Sequence, residues 1–570
     1  MKLTIARSKQ NEHLYISKTI RKGKKTATKN LLKLGTMTEL LPLHNNSREQ
    51  VIAWAKSQVD LYTAQEKDDR IDVSIKFSSY KIMKESEQVV SCGYLFLQDI
   101  IYDLKLDAIC DTIAQKYDFT FNLTDILSTL VISRILSPSS KLSTLDFAKT
   151  LIEKPDFSLH HMYRALDVLS ENTDYILSQL YKNSTKVFPR NTSVLYYDCS
   201  NFYFEIEEAE GLKQYGKSKE HRPNPIVQMG LFMDGNGMPL SFVIYPGNAS
   251  EQPSLIPLEK KIIKDFPISK FVVCTDAGLA SNSNRKFNSI AQRSFIVTQS
   301  LKKLKKHIKD WALDPTGWHL IGDTTEYNLL AIDEENMMHR IFYKERWIHE
   351  NGLEQRLVIS YSPKYKVYKK AIRQKQIDRA NQLIAKKTKI KNKNPNSPTK
   401  YITEIKTTET GEVADEAHYS LNTKAILEEA KYDGFYGICT TLDDDIETVL
   451  KVNKQRWEIE ESFRIMKTDF KSRPVYLQKD NRIEAHFLTC FLSLLVYRIL
   501  EQKLESKYTS TQIITTLRKM EMKYYEGYGY IPNYKRTKLT DTLHNQFGFH
   551  TDTEIVDEKK MKKIIKQIKG

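Results

Sequence analysis

The residues from Arg456 to Lys467 could form a helix with an unusual polar face. At ~100° per residue, Arg456 lies about 40° from Glu460, and Lys467 lies about 20° from it on the other side. A carboxylate flanked by two cations suits a site that binds a metal ion and grips a phosphate backbone. The alternative is a surface helix with ion pairs four residues apart, each worth ~0.2–0.5 kcal/mol.

Two aspartates follow apolar, β-rich runs earlier in the chain. Asp198 comes after Val194–Tyr197, and Asp276 comes after Phe271–Thr275. From residue 194 onward, the pattern predicts three strands, a helix, a fourth strand, a second helix and a fifth strand. This is the order of a ribonuclease-H-like core. In such a sheet the first and fourth strands are neighbours. We therefore expect Asp198 to end the first strand, Asp276 to end the fourth, and both to converge at one edge.

A helix laid across that edge could add Glu460 as a third carboxylate. Clustered acidic groups repel one another and cost desolvation, so they persist mainly where a cation neutralises them. Ligand sets made only of oxygen favour Mg²⁺ or Mn²⁺. Two such ions could activate a water or a 3′-hydroxyl and stabilise the leaving oxygen during in-line attack on phosphorus. For each aspartate alone, a turn or cap role is the alternative.

Composition narrows the classes of partner. The chain has 570 residues with a formal charge of +16, and such an excess of Lys and Arg favours a polyanion. Its six scattered cysteines show no zinc spacing and indicate a reducing compartment. The N-terminus lacks the apolar segment of a signal peptide. The longest apolar run, around 487–496, is too short for a membrane span. These features predict a cytoplasmic protein.

Changes in hydrophobic periodicity and charge along the chain predict six regions. The fold class is α/β, in which a partly β insertion domain interrupts the catalytic core and a mainly helical region precedes it. A charged segment at 386–400 lies within that insertion. The regions are a small β-like basic module (1–45), a helical region for binding DNA ends (46–188), the first part of the core (189–300), the insertion domain (301–434), the second part of the core with the Glu460 helix (435–505) and a basic tail (506–570).

These motifs resemble the DDE transposases of bacterial insertion sequences, in the cut-and-paste branch with a Tyr-x2-Arg-x3-Glu-x6-Lys signature. Arg456, Glu460 and Lys467 match its spacing, whereas Asn453 stands at the tyrosine position. The stretches 197–205 and 273–278 resemble the strands that carry the family's two aspartates. Downstream, 473–476 and 483–486 resemble further family blocks. The resemblance spans nearly the whole chain and is most specific in 193–500.

The resemblance implies a function and a set of roles. Asp198, Asp276 and Glu460 would hold Mg²⁺ or Mn²⁺, with two ions expected, and cut and join strands at inverted-repeat ends. The partners would be double-stranded DNA and a second copy of the chain. Residues expected at DNA are Arg456, Lys467, Arg464, Trp318 and Trp347. For the tryptophans, core packing is the alternative to contact with a flipped base. A non-transposing nuclease and an inactive DNA-binding protein remain rival functions.

Overall fold

A computed structural model describes residues 1–8, 11–22, 25–68, 88–266, 268–386, 397–405 and 418–570. Most of the charged segment at 386–400 lies outside these residues. Contacts divide the chain into two compact units, Met1–Ser86 and Glu87–Gly570.

The first unit is a three-stranded antiparallel sheet with helices. Its strands follow chain order, β1-β2-β3. Leu14 of the sheet packs with Met37 and with Val51 and Ala55 of the long helix. The predicted β-like module and the predicted helix from residue 48 are both present. The elements are β1 (Lys2–Arg7), β2 (Glu12–Lys22), β3 (Lys25–Thr36), α1 (Met37–Leu40) and α2 (Arg48–Asp68).

The second unit contains the remaining strands and helices. Its first hundred residues are mainly helical, as the sequence predicts. The strands are β4 (Val89–Ser91), β5 (Val194–Tyr203), β6 (Ile226–Asp234), β7 (Pro239–Pro246), β8 (Phe271–Thr275), β9 (Arg293–Gln299), β10 (His319–Leu320), β11 (Phe342–Glu350), β12 (Leu353–Tyr361), β13 (Ile402–Ile405), β14 (His418–Leu421), β15 (Phe435–Thr440), β16 (Glu521–Tyr525) and β17 (Gly529–Pro532).

Helices of this unit precede, interrupt and follow the strands. They are α3 (Tyr94–Asp103), α4 (Leu106–Ala114), α5 (Leu123–Leu136), α6 (Lys141–Ala148), α7 (Leu159–Glu171), α8 (Thr173–Val187), α9 (Leu255–Asp265), α10 (Asn282–Phe287), α11 (Lys306–Leu313), α12 (Pro363–Ala385), α13 (Thr423–Ala430), α14 (Ile446–Gln455), α15 (Trp457–Arg464), α16 (Asp480–Lys503), α17 (Ser510–Lys519), α18 (Lys538–Phe547) and α19 (Glu558–Lys569).

A nine-stranded mixed sheet organises the second unit, in the order β10-β11-β12-β15-β9-β8-β5-β6-β7. The elements from β5 to β9 follow the predicted order, three strands, a helix, a strand, a helix and a strand. The first and fourth of these strands, β5 and β8, are parallel neighbours. Every residue of β6 is buried, as expected for a strand covered on both faces. The fold is therefore mixed α/β around one large sheet.

The turn between β6 and β7 shows how local sequence directs this sheet. Gly237 has a φ of 73°, a left-handed conformation that glycine adopts without strain. Asp234 Oδ1 accepts from the backbone N–H of Asn236 and of Met238, each at 3.0 Å. The buried Arg190 side chain pairs with Asp234 Oδ2. The tetrapeptide Asp-Gly-Asn-Gly is typical of a hairpin turn, and β6 and β7 pair antiparallel on either side of it.

Strands from the expected insertion extend the same sheet. Within 301–434, β11 and β12 pair with each other, and β12 pairs antiparallel with β15. β15 in turn pairs with β9. This part of the insertion is thus continuous with the core by backbone hydrogen bonds. The described part of the insertion also has two apolar clusters separate from the main core: one around Trp318 and Phe342, which includes Phe295 of β9, and a smaller one around Ala380 and Tyr401.

Helix α16 is the central helix of the second unit. Of the helices that the structure describes, it is the one long and apolar enough to cross a membrane, and 94% of its most apolar window is buried within the protein. It packs against α5 and α7 of the helical region. Its burial accounts for the apolar run around 487–496 as protein core.

Candidate active site

Asp198 lies where two kinds of strand pairing meet. β5 pairs with β8 only through Val194–Tyr196, but its antiparallel pairing with β6 continues to Tyr203. The prediction that Asp198 ends its strand is therefore wrong, because β6 extends the strand beyond it. The Tyr196–Cys274 register, continued by two residues, sets Asp198 level with Asp276.

The environment of Asp198 disfavours its charge. Burial raises the pKa of this carboxyl to about 6; Lys219 opposes the rise and the nearby charge of Asp276 adds to it. Asp198 Oδ1 accepts from the backbone N–H of Cys199 at 2.8 Å. Two carboxylates thus interact at the edge where β8 ends, which is the juxtaposition expected from the sequence.

Asp276 also has a structural role. Its Oδ1 accepts from the backbone N–H of Gly278 at 2.9 Å and of Leu279 at 3.1 Å. These bonds shape the turn that leaves β8, which is the alternative role given by the sequence. The turn uses one carboxylate oxygen, so Oδ2 remains outside it.

Glu460 lies on α15, whose geometry differs from the single helix expected from Arg456 to Lys467. The helical run is interrupted at Arg456, between α14 and α15, and residues Ile465–Asp469 form a π-helical turn. Such turns are frequently found at functional sites. The Glu460 side chain is 56% exposed, and its Oε1 lies 3.0 Å from Arg456 Nη1.

Arg456 joins the helix electrostatically to the strand edge. Burial works against its charge, but Glu460, Tyr436, Cys274 and Asp198 together raise the pKa of its guanidinium. Its side chain is only 20% exposed. Its Nε is buried and has no hydrogen-bond partner among the residues described. The site therefore holds a guanidinium between two of the candidate carboxylates, with donor capacity unused.

Lys467 and Lys219 make the surroundings of Asp198 basic. Burial and the nearby charge of Lys219, opposed by Asp198, lower the pKa of Lys467 to about 8. Lys467 Nζ lies 5.3 Å from the centre of the Phe202 ring and 3.6 Å from Glu220 Oε1.

Sequence reasoning missed Lys219. Its Nζ donates to the backbone carbonyl of Cys199 at 2.5 Å and pairs with Glu251 at 3.2 Å. Burial opposes its charge, but Asp198 and Glu251 raise its pKa. The available signal was the basic stretch 217–222 in the connection that follows a candidate catalytic strand.

The three candidate carboxylates do not form a closed cluster. Within the described ranges, one group of three potential metal ligands has all its ligand atoms within 4.8 Å of one another. That group is His544, His550 and Asp552, and it contains none of the candidate triad. Both ring nitrogens of His544 have partners, the Phe549 carbonyl and the Tyr534 hydroxyl. The structure brings Asp198 near Asp276, while Glu460 remains paired with Arg456.

The remaining candidates for DNA contact differ in their burial and in the partners that they already have. Trp318 is fully buried, and its indole N–H donates to the carbonyl of Asp314 at 2.8 Å. It is a core residue, so the proposed stacking on a base does not fit this position. Trp347 on β11 is 46% exposed. The Arg464 guanidinium is already bound to Glu461 and Ser510.

Two aspartates interact at one edge of the sheet, and Arg456 and Glu460 at the start of α15 lie near them. Carboxylates and a guanidinium in one place suit a site that acts on phosphate esters. A family model for the transposase DDE domain matches residues 198–496, more than half of the chain. The chain belongs to the DDE-domain transposases. The matched region begins at Asp198 and includes Asp276 and Glu460.

Comparison with solved structures finds transposases bound to DNA. The chain is similar to a piggyBac transposase synaptic complex with hairpin DNA, at 10% identity, 84% coverage of each chain and a TM-score of 0.34. It is also similar to a Mos1 transposase paired-end complex with the left transposon end, at 14% identity, 44% coverage of this chain, 72% of that chain and a TM-score of 0.13. No curated protein matches the sequence.

Proposed function

We propose that this chain is a cut-and-paste DNA transposase of the insertion-sequence type, with a ribonuclease-H-like catalytic core. It binds the inverted-repeat ends of its element, cleaves DNA there and joins the ends to a target. One observation carries the proposal. Asp198 lies within β5, Asp276 directly follows its parallel neighbour β8, both fall within the family match, and Arg456 interacts electrostatically with Asp198 and with Glu460.

The donor set fits a hard divalent cation. Asp198, Asp276 and Glu460 offer only carboxylate oxygens, which suit Mg²⁺ or Mn²⁺. Burial and the charge of Asp276 both disfavour ionised Asp198, and a cation would relieve that cost. Glu460 is exposed and can turn from Arg456 towards the aspartates. Two bound ions would supply an activated nucleophile and stabilise the leaving oxygen.

The protein's cations bind and orient the DNA backbone in this proposal. Arg456 is partly exposed beside the carboxylates, and a guanidinium matches the geometry of phosphate. Lys467 and Lys219 add positive charge around Asp198. Exposed Trp347 stands as the aromatic candidate for contact with DNA.

Assembly and organisation follow from the same activity. Two element ends must be held together for joining, so we propose a homodimer on double-stranded DNA in the bacterial cytoplasm, at the nucleoid. Residues 46–188 would bind the ends, 301–434 would form an insertion domain, and 189–300 with 435–505 would form the core. The net charge of +16 supports a polyanionic partner.

A reconstituted reaction tests this function. The substrate is a plasmid in which the DNA flanking the gene brackets a marker, incubated with purified protein and Mg²⁺. We expect double-strand breaks at both ends and joining of the excised fragment to a second plasmid. Cleavage without joining would instead indicate a nuclease. Binding without either reaction would indicate an inactive DNA-binding protein.

A further inference from the structure

A basic cavity lies outside the candidate triad, within the second unit. Its volume is about 400 Å³, and it is lined by α5, by the N-terminus of α6, by α16 and by the segment that follows the π-helical turn. Four cations contribute to the lining, and none of its described residues is acidic. The cations are Arg134, Lys141, Lys471 and Arg473.

Two of these cations are buried without an acidic partner. Lys141 is 6% exposed, and no hydrogen bond or ion pair joins its Nζ to another residue that the structure describes. Arg134 is also 6% exposed, and its Nη1 donates to the carbonyl oxygens of Phe470 at 3.3 Å and Lys471 at 3.4 Å. Burial and the charge of Arg134 lower the pKa of Lys141 to about 7. Buried charges in proteins are ordinarily paired, so two unpaired cations on one cavity indicate an anionic ligand.

The N-terminus of α6 adds partial positive charge to the same lining. Pro138, Ser139 and Ser140 line the cavity directly before the helix, and Lys141 is the first helical residue. The Ser140 hydroxyl accepts from the backbone N–H of Ser143 at 3.2 Å, so the cap uses only one N–H of the first turn. The other N–H groups of that turn have no partner within the helix and favour an anion beside them.

His486 on α16 lines the cavity without supplying a counter-charge. Burial, followed by the charges of Arg134 and Lys141, holds the pKa of its imidazole well below the usual range. Its Nε2 lies 3.2 Å from the carbonyl oxygen of Ser472. The imidazole is therefore neutral, and the described lining carries positive charge alone.

Glu220 joins this basic cavity to the candidate active site. Its Oε1 lies 3.6 Å from Lys467 Nζ and also pairs with Arg473 at the cavity. Arg473 Cζ lies 5.8 Å from the centre of the Tyr203 ring, and Tyr203 follows Asp198 by five residues in β5. Five residues of a strand span about 16 Å. A DNA strand held at the candidate triad therefore has other phosphates within reach of the basic cavity.

We infer that the basic cavity binds a phosphate group, which Lys141 and Arg134 contact from within and exposed Lys471 contacts at the rim. A phosphate offers several acceptor oxygens to donors that come from different directions. Two sources carry this chemistry, the backbone of DNA and a free phosphate-bearing molecule. The position near the triad favours DNA, and that source rests on the proposed function, whereas the binding of phosphate itself does not.

The first test uses inorganic phosphate with the full-length protein, Lys141→Met and Lys149→Met. Methionine keeps most of the buried stem and removes the charge. Lys149, which follows the last residue of α6 and pairs with Asp146 at 2.9 Å, is the matched control. Melting temperatures are compared in potassium phosphate and in KCl of equal ionic strength, because phosphate also stabilises proteins in general.

We expect phosphate to raise the melting temperature of the unmodified protein and of Lys149→Met by at least about 2 °C more than that of Lys141→Met. In KCl, Lys141→Met should melt no lower than the unmodified protein, because the substitution removes an unpaired buried charge. A residue that served only packing would instead lose stability in both salts.

The second test measures whether DNA supplies the phosphate. Fluorescence anisotropy follows binding of a labelled duplex with the element end between about 50 and 200 mM salt. We expect Lys141→Met to weaken binding about 10-fold at the lowest salt. The slope of log K against log salt should become shallower by about 1, as for one lost phosphate contact. Lys149→Met should bind within about twofold of the unmodified protein.

Neutral methylphosphonate linkages locate the contact on the DNA. They are placed singly at about 3–7 nucleotides from the cleavage site, because about 16 Å spans about five phosphates of one strand along the duplex axis. One of these linkages should weaken binding to the unmodified protein but add nothing to the loss in Lys141→Met, since both changes remove the same contact.

An equal response to phosphate in Lys141→Met and the unmodified protein would overturn the inference. If Lys141→Met does not fold, exposed Lys471→Ala takes its place, and an unchanged phosphate response in that variant would be equally fatal. Loss of the phosphate response with unchanged DNA binding would identify a free phosphate-bearing molecule as the ligand. An unmodified protein that responds to phosphate through Lys141 but cleaves no DNA would retain the phosphate site and refute the proposed function.

Discussion

Replacing Arg456 by lysine keeps the positive charge but removes the shape on which the proposed phosphate contact depends. In the structure, Nη1 pairs with Glu460 at 3.0 Å, and the side chain is 20% exposed. A guanidinium has several N–H groups in a fixed plane, so it can hold Glu460 and a phosphate together. A lysine has one nitrogen on a flexible stem and must divide its bonds between them.

The expected loss follows from one charge-assisted hydrogen bond. Such bonds contribute about 1.5–3 kcal/mol, and about 1.4 kcal/mol corresponds to tenfold in an equilibrium constant. We therefore expect Arg456→Lys to weaken DNA binding or lower kcat/KM by about 10- to 100-fold. Fluorescence anisotropy with a labelled end duplex, and single-turnover cleavage of the same duplex, measure the two quantities.

Arg464→Lys is the matched control for this variant. Arg464 lies eight residues further along, but its guanidinium is bound within the protein by Glu461 and Ser510. The control should change DNA affinity by less than about threefold. Equal losses in the two variants, or normal behaviour of Arg456→Lys, would refute the reasoning that the Arg456 guanidinium contacts DNA.

Three further substitutions test the account of the folded chain. Burial raises the pKa of Glu259 to about 8, although Asn288 donates to both of its carboxylate oxygens. Because the folded state holds this proton more tightly than the unfolded state, stability falls as pH rises from about 4.5 through about 8. Glu259→Gln should flatten that fall in melting temperature between pH 5 and 9, and an unchanged slope would contradict the assignment. Trp318→Ala should cost about 3–5 kcal/mol of unfolding free energy in urea titrations, because the indole is fully buried. Trp347→Ala, at an exposed position, should cost less than about 1 kcal/mol, and a reversed order would contradict the burial of Trp318.

The sequence predicted the parts of the fold that depend on local pattern. Apolar runs located β5 and β8, and Asp-Gly-Asn-Gly located the hairpin between β6 and β7. It also predicted that Asp198 and Asp276 would approach each other, because parallel neighbours bring equivalent ends together. These features need only short-range periodicity and a known order of strands.

Other features depend on contacts that periodicity does not contain. β5 continues beyond Asp198 because β6 pairs with it there, and β11 and β12 join the central sheet through β15. A projection that assumes a regular helix also did not predict the break at Arg456 or the π-helical turn that follows α15. Trp318 illustrates the same limit, because a tryptophan in a β-rich segment is compatible with either core or surface.

Lys219 and Tyr436 were missed for a related reason. Lys219 lies in the connection between β5 and β6, and Tyr436 lies on β15, so each comes near Asp198 or Arg456 only when the chain has folded. Charge or aromatic character alone did not distinguish them from many similar residues. Their positions become informative once the neighbouring strands are known.

Metal-dependent cleavage by single carboxylate variants measures the central claim directly. Asp198→Asn, Asp276→Asn and Glu460→Gln would each be compared with the unmodified protein on a labelled duplex bearing the element end, with Mg²⁺, with Mn²⁺ and with EDTA. We predict cleavage by the unmodified protein only with added ions, loss of at least about 1000-fold in every variant, and DNA affinity within about threefold of normal. Near-normal cleavage by any one of the three variants would contradict the proposed triad.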